Sequence, residues 1–302
     1  MPELPEVEHV VRALRPVVVG RTIVASDIEL PKLIAPTSVA SFKRQITGSK
    51  ITGVSRRGKF ILIQCQTPMR RNGSASHAHR RNAAALPARR AKRGASLILA
   101  VHLRMTGKFL YLSIDDELPK HSHAIFYLDN ERRLVFRDQR KFGVMKLFPA
   151  AELPDTKGIH ELAPEPFGDE FSVDYFRETL SRSRRTLKTL LLDQNKVLGL
   201  GNIYAAEALF RARINPFATA SSVTRPRAAR LHTAIQDVLR FAVEHITGSI
   251  KLEEGFSYGE AFESFWQVYD REGEPCVKCA AKIRRVTHGG RSTYWCPRCQ
   301  RR

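Results

Sequence analysis

Hydrophobic and polar positions fall into two regimes along this chain. Between Gly20 and about Phe148, short apolar runs alternate with turn residues, at positions 22–24, 51–54, 59–65, 97–103, 109–112, 124–128, 133–136 and 144–148. Runs of this length predict strands, and many short strands at close spacing predict a sandwich or a barrel. Ahead of them, Val7, Val10, Val11 and Leu14 recur at helical spacing behind Pro5, which suits a first-turn position. An amphipathic helix is therefore expected to front the sheets. From about Asp169 the period becomes helical, and 173–181, 187–192, 203–210 and 225–245 read as four helices.

One stretch breaks the strand pattern. Residues 68–96 hold eight basic residues and no acids among Ala, Asn, Ser and His, between runs that would otherwise form a plain hairpin. This composition predicts a disordered basic insertion at a hairpin tip. A role in non-specific phosphate attraction and that of a solvated loop are both open to it. It supplies eight of the twenty net positive charges, so the rest of the chain is basic as well. Lys and Arg number 50 against 30 acids, and the pI is near 10.2. Such a balance calls for a polyanion, either nucleic acid or an anionic membrane surface. No run resembles a transmembrane span or a secretory h-region, and Arg12, Arg15 and Pro16 interrupt the first apolar stretch. Nucleic acid is the favoured partner, and a soluble intracellular protein is the simplest expectation. With 302 residues and 43% hydrophobic content, the chain can build two domains of ordinary size with real cores.

The cysteines divide four and one. Cys276-x2-Cys279 and Cys296-x2-Cys299, sixteen residues apart, have the spacing of a four-thiolate zinc site on two knuckles. Disulfides would require a secreted protein, which the N-terminal sequence does not support. Cys65 follows the apolar run Phe60-Ile61-Leu62-Ile63 and reads as a buried small hydrophobe.

Two further patterns carry chemistry. In Val197-Leu198-Gly199-Leu200-Gly201-Asn202, glycines precede a helix start. Either backbone N–H groups stand open there to a phosphate, or the segment is a tight turn with an Asn cap. In Pro2-Glu3-Leu4-Pro5, removal of Met1 would give Pro2 a free secondary amine. Terminal amines titrate near 8, so a neutral, nucleophilic fraction exists at pH 7. Its attack on a sugar aldehyde carbon yields an iminium, and Glu3 beside it could pass protons. A capped amphipathic helix explains the same residues without chemistry.

Taken together, these motifs resemble the formamidopyrimidine-DNA glycosylases, bacterial base-excision enzymes for oxidised purines. The likeness lies in Pro2-Glu3-Leu4-Pro5-Glu6-Val7-Glu8, Arg57-Gly58-Lys59 and His102-Leu103-Arg104-Met105-Thr106-Gly107. It continues in Asp138-Gln139-Arg140-Lys141-Phe142-Gly143, Pro164-Glu165-Pro166, Gly201-Asn202-Ile203-Tyr204-Ala205-Ala206-Glu207 and Gly273-Glu274-Pro275-Cys276. They occur in the family's order over nearly the whole chain.

The resemblance implies an α+β multidomain fold. An N-terminal β-sandwich with flanking helices (1–149) would be followed by a helix-two-turn-helix domain (150–266) and a zinc finger (267–302) holding one structural Zn2+. It implies that Pro2 is the Schiff-base nucleophile and Glu3 the proton donor that opens the sugar ring. Lys59 would contact phosphate in β-elimination, and Arg291 would do so in δ-elimination. Met105 corresponds to the wedge that fills the space of an extruded nucleotide, with Arg140 facing the orphaned base and Phe142 beside it. His121, Arg185, Asn202 and His102 correspond to phosphate contacts, which fix register without reading sequence. Glu6 and Glu207 are either supports for the amine or structural caps.

The partner implied is damaged double-stranded DNA, met by a monomer in a bacterial cytoplasm. Gln139 and Lys141 replace residues usual in the family, Ala163 replaces a Gly, and 249–266 is atypical where the family closes a loop over the extruded base. Three rival readings remain: the sister endonuclease for oxidised pyrimidines, which typically opens Pro-Glu-Gly-Pro-Glu; a zinc-containing DNA-binding protein without catalysis; and a basic RNA-binding ribbon protein. Leu4 and Met105 favour the purine branch.

Overall fold

A computed structural model describes residues 2–68, 94–245 and 265–301. Most of the basic insertion expected at 68–96, and nearly all of the 249–266 loop, lie outside the described residues. The N-terminal helix α1 (Leu4–Val18) carries Pro5 in its first turn and buries Leu4, Val7, Val10, Val11, Leu14 and Val18 along one stripe. Eight strands follow: β1 (Ile23–Ile28), β2 (Lys50–Arg57), β3 (Phe60–Gln66), β4 (Ser96–His102), β5 (Gly107–Ser113), β6 (Ser122–Leu128), β7 (Arg132–Asp138) and β8 (Val144–Pro149). They form two four-stranded antiparallel sheets, ordered β1-β6-β7-β5 and β2-β3-β4-β8. The architecture is thus a sandwich rather than a barrel.

Both faces of the second sheet are covered. Ile61, Ile63, Leu97, Leu99 and Val101 belong to the main core, which also includes the buried stripe of α1. On the other face Leu62, Ile98, Ala100 and Phe148 pack beneath Ile159 and Leu162. This explains why β4 reads as a continuous apolar run instead of alternating. Helix α2 (Val39–Ile46), capped by Ser38 Oγ accepting from Ser41 N–H at 3.3 Å, is absent from the expected elements. Two turns give too few apolar repeats to stand out from the background.

Pairing in β3–β4 runs from Phe60 opposite His102 to Gln66 opposite Ser96. The 68–94 connection therefore leaves from the far end of this pair, about 20 Å along the strands from Lys59 and His102 at 3.3 Å per residue.

The helical half contains α3 (Val173–Ser181), α4 (Leu187–Leu191), α5 (Asn202–Arg211) and α6 (Arg225–His245). Leu187, Leu190, Leu191, Leu200, Tyr204 and Leu231 share one apolar cluster with α1 and the sandwich. A separate cluster joins Ala206 and Phe210 of α5 to Val268, Ile283, Tyr294 and two of the cysteines. The last strands, β9 (Arg284–His288) and β10 (Arg291–Trp295), form a hairpin turned by Gly289 and Gly290, both at positive φ. No helix among the described residues is long and apolar enough to cross a membrane.

Candidate active site

Pro2 is buried immediately before α1, and the adjacent acid is tied to a distant part of the chain. Glu3 accepts hydrogen bonds from the backbone N–H groups of Gly201 (2.6 Å), Ile203 (2.9 Å) and Tyr204 (3.3 Å). Its carboxylate therefore caps α5, where the orphan donors and the positive end of the helix dipole meet it. This corrects the expectation of open N–H groups or an Asn cap at 199–202. Gly201 is the N-cap, Asn202 is the first helical residue, and Glu3 takes the donors. Only glycine permits that approach, because a Cβ on Gly201 would lie 2.4 Å from the Glu3 carboxyl carbon. The N-terminus and the helical half thus meet on one buried carboxylate.

Around it lie more buried charges. Glu6 accepts from Glu3 N–H and from the Tyr204 hydroxyl, both at 2.7 Å. Burial, with the nearby Glu3 charge, pushes its carboxyl up to about 7. Of the two roles open to Glu6, the contact is with Glu3 and its backbone. Glu207 is instead a cap, accepting from the N–H groups of Gln267, Val268 and Tyr269. Lys59, at the turn from β2 to β3, is only 4% exposed, and its Nζ donates to the Leu200 carbonyl at 2.7 Å. Burial brings its amine down to about 8, with Glu3 and Glu6 opposing the fall and Arg291 adding to it. The hairpin-tip Arg291 is exposed in its own module, yet close enough to weigh on Lys59.

Sequence reasoning missed the group that brings Arg291 here. Lys188 of α4 is buried, and its Nζ donates to the Ser292 carbonyl (2.5 Å) and to Thr293 Oγ1 (2.7 Å), the residues following Arg291. Thr186 and His288 share a third hydrogen bond, of 2.8 Å, across the same junction. A lysine inside the apolar run Leu187–Leu191 was the available signal. Glu165 stands out in the sequence only as part of a motif, but it accepts from Gly58 N–H (2.6 Å) and Arg56 Nη1 (2.7 Å), fastening the turn before Lys59.

The other candidates lie at loops and element ends. Met105 and Phe142 are 43% and 48% exposed, although large and apolar. The Arg140 guanidinium stands 4.9 Å from the centre of the Phe142 ring. His102 is buried against Phe60, and its Nδ1 accepts from Arg104 N–H at 3.0 Å, so the neutral ring carries its proton on Nε2. Burial and the neighbouring Arg104 and Lys59 hold its pKa down to about 3, so any phosphate contact it makes is by a neutral N–H. His121 is exposed at positive φ. Arg185 precedes α4 and pairs with Asp193 at 2.9 Å. Asn202 interacts with the Tyr269 hydroxyl, and Tyr269 is another residue that the sequence did not single out.

The four cysteine sulfurs at 276, 279, 296 and 299 all lie within 4.8 Å of one another. Cys276 and Cys299 Sγ are 3.9 Å apart, and Cys279 and Cys296 Sγ are 3.4 Å apart. A tetrahedron with Zn–S bonds of about 2.3 Å needs edges near 3.8 Å, so the set fits one zinc ion. The N–H groups of Lys278 and Cys299 point at Cys276 and Cys296 Sγ, each at 3.4 Å, as thiolate-supporting knuckle donors do. The site is structural, since all four positions are filled by protein.

Residues 1–145 match the formamidopyrimidine-DNA glycosylase N-terminal domain, 162–254 the H2TH domain of the same enzymes, and 273–302 a zinc finger found in FPG and IleRS. The chain is 40% identical to a formamidopyrimidine-DNA glycosylase of Pelotomaculum thermopropionicum, over all of this chain and 99% of that protein. It is also 40% identical to one from Bacillus licheniformis, over the full length of both. A Lactococcus lactis FPG variant in complex with Fapy-dG containing DNA superposes with a TM-score of 0.84 at 30% identity, covering all of both chains. A complex of the Lactococcus lactis Fpg with abasic-site DNA gives 0.82 at 31% identity, over 99% of this chain and all of that one. With its three parts matched in order and its whole length aligned, the chain belongs to the formamidopyrimidine-DNA glycosylase family.

Proposed function

We propose that the protein removes oxidised purines from double-stranded DNA and cleaves the resulting abasic site, with 1–149 carrying the chemistry and 150–266 and 267–302 gripping the duplex. The secondary amine of Pro2, freed by loss of Met1, attacks C1′ of the extruded nucleotide. The damaged base leaves with the bonding electron pair, and a protonated Pro2 adduct forms at C1′. Glu3 supplies the proton that opens the sugar ring to the iminium. Loss of the C2′ proton then expels the 3′ phosphate, and a second elimination expels the 5′ phosphate. Lys59, a cation at pH 7 with a proton poised near 8, contacts phosphate in the first step, and Arg291 does so in the second.

Met105 fills the emptied stack and Arg140, braced on Phe142, offers its donors to an orphaned cytosine. His121, Arg185, Asn202 and the neutral His102 hold backbone phosphates. The zinc holds the hairpin that presents Arg291. The enzyme works as a monomer in a bacterial cytoplasm.

The observation that carries this reading is convergence. The N-terminal Pro2-Glu3 pair, the β2–β3 turn with Lys59, and the zinc hairpin with Arg291 come from three distant parts of the chain, and their charges act on one another. A basic DNA-binding module without catalysis has no need for a buried carboxylate beside a terminal proline. Borohydride added to the untagged protein with an 8-oxoguanine:cytosine duplex is expected to trap a covalent adduct on the peptide beginning at Pro2. The same protein with a permanent N-terminal extension should form none. An adduct only with oxidised-pyrimidine DNA would move the protein to the sister branch, and tight binding without any adduct would remove the enzymatic reading.

A further inference from the structure

Three loops of the sandwich are fastened to one buried residue, two of them through its carboxylate and one through its backbone. Asp138, at the end of β7, is 1% exposed. Its Oδ1 accepts from the Thr106 hydroxyl, next to Met105, and from Arg140 N–H at 3.2 Å. Its Oδ2 accepts from Gly143 N–H at 2.7 Å, just beyond Phe142. Thr106 Oγ1 closes the triangle by accepting from Arg140 N–H at 3.1 Å. The backbone of Asp138 reaches the third loop: its N–H donates to the His121 carbonyl at 3.0 Å, and its carbonyl accepts from His123 Nε2–H at 2.9 Å.

These loops also hold the strained residues of the region. Arg104, His121 and Lys141 all have positive φ, at 57°, 70° and 58°. Non-glycine residues persist there only where surrounding bonds over-determine the backbone.

We infer that Asp138 is a positioning residue that locks Met105, Arg140, Phe142 and His121 into one rigid unit, so that wedge insertion and reading of the orphaned base occur as a single event. The inference rests on Met105 acting as the proposed wedge. A loose loop would insert its side chain only in a fraction of its conformations, and that fraction multiplies directly into the extrusion equilibrium. The cost of extrusion is greatest for a nucleotide that is still stacked and paired. Asp138 should therefore matter most for an intact lesion and least for an abasic site, where no base has to leave the stack.

Asp138→Asn keeps the shape but replaces one acceptor oxygen by a donor. Single-turnover excision of 8-oxoguanine opposite cytosine is expected to fall roughly tenfold or more, while incision of a preformed abasic site falls less than about threefold. The fluorescence rise of a 2-aminopurine placed beside the orphaned base should slow in parallel with excision. The preference for cytosine over adenine opposite the lesion should narrow. Thr106→Val, which removes only the shared hydroxyl, should show the same pattern in a fully folded protein, and Thr106→Ser should restore it. The Asp138→Asn, Thr106→Val double variant should be no worse than Asp138→Asn alone, as for residues of one network.

Equal losses on both substrates would overturn the inference and leave Asp138 a general structural residue. So would an unchanged fluorescence rise in both single variants. Absence of that rise in the unaltered protein would instead overturn the wedge assignment itself, whatever the variants do.

Discussion

At the scale of single residues, burial sets the chemistry. Glu6 sits against Glu3 and Tyr204 with its carboxyl raised to about 7. Its folded-state value lies above the unfolded one, so the folded protein binds this proton more tightly. The stabilisation is complete below about pH 4.5 and is lost as pH rises through 7. At 1.36 kcal/mol per unit, this amounts to at most about 3 kcal/mol across the window. Glu6→Gln cannot ionise. Thermal midpoints of the variant relative to the unaltered protein should therefore shift in the variant's favour between pH 5 and pH 7.5. Lys59 titrates near 8 with the opposite sign, gaining stability as pH rises above that, so the comparison stops at 7.5. A midpoint difference that does not change with pH would show that Glu6 stays ionised throughout.

At the scale of elements, the joint between α1 and α5 decides whether the acid is in place. A methyl group on Gly201 would meet the Glu3 carboxyl carbon at 2.4 Å, and the carboxylate is held there by the N–H groups of Gly201, Ile203 and Tyr204. Gly201→Ala should cost about 1–3 kcal/mol, as overpacking does. A displacement of Glu3 by about 1 Å should cost roughly a hundredfold in base excision. Measuring excision alongside the melting temperature tests this, and a variant that is less stable but fully active would refute it.

This joint also marks the limit of what the sequence disclosed. The strand runs, the helical period after Asp169 and the cysteine spacing were readable because each is a local pattern that burial or metal geometry imposes. The motif around Gly201 was readable as a helix start, but its ligand was not. The acceptor is a side chain 198 residues away, and nothing local distinguishes N–H groups awaiting a phosphate from N–H groups awaiting Glu3. Lys188 escaped for the same reason, since its partners Ser292 and Thr293 lie on another module. Met105, Arg140 and Phe142 drew attention only through family likeness, because an exposed apolar side chain looks like a core one until the fold shows its surface.

At the scale of the whole molecule, the zinc module has a small apolar cluster of its own and carries Arg291 at its hairpin tip. Its apolar cluster reaches α5 through Ala206 and Phe210 but is distinct from the main core. Its hairpin is tied to α4 by Lys188 and by Thr186 with His288, and packs on Phe217 through His288 and Trp295. A thiolate site of this type carries the folding energy of its module. Cys276→Ser, or chelation, should therefore release the hairpin and Arg291 while the sandwich keeps its structure.

The molecule carries its own reporter for this. Trp295 on β10 lies in the zinc module and stacks edge-on to Phe217 at 4.9 Å, while Trp266, packed on the main core, meets Tyr269 at the module's root at 4.9 Å. Metal loss should shift tryptophan emission while the far-ultraviolet signal of the β-sandwich and α6 remains. In the same titration, the slope of log affinity for DNA against log salt should become shallower by roughly one for each phosphate that the module no longer neutralises. A metal-free protein whose emission changes but whose salt slope does not would show that the module folds through zinc without gripping DNA. Arg291 would then have no part in holding the duplex, and its electrostatic influence on Lys59 would need another explanation.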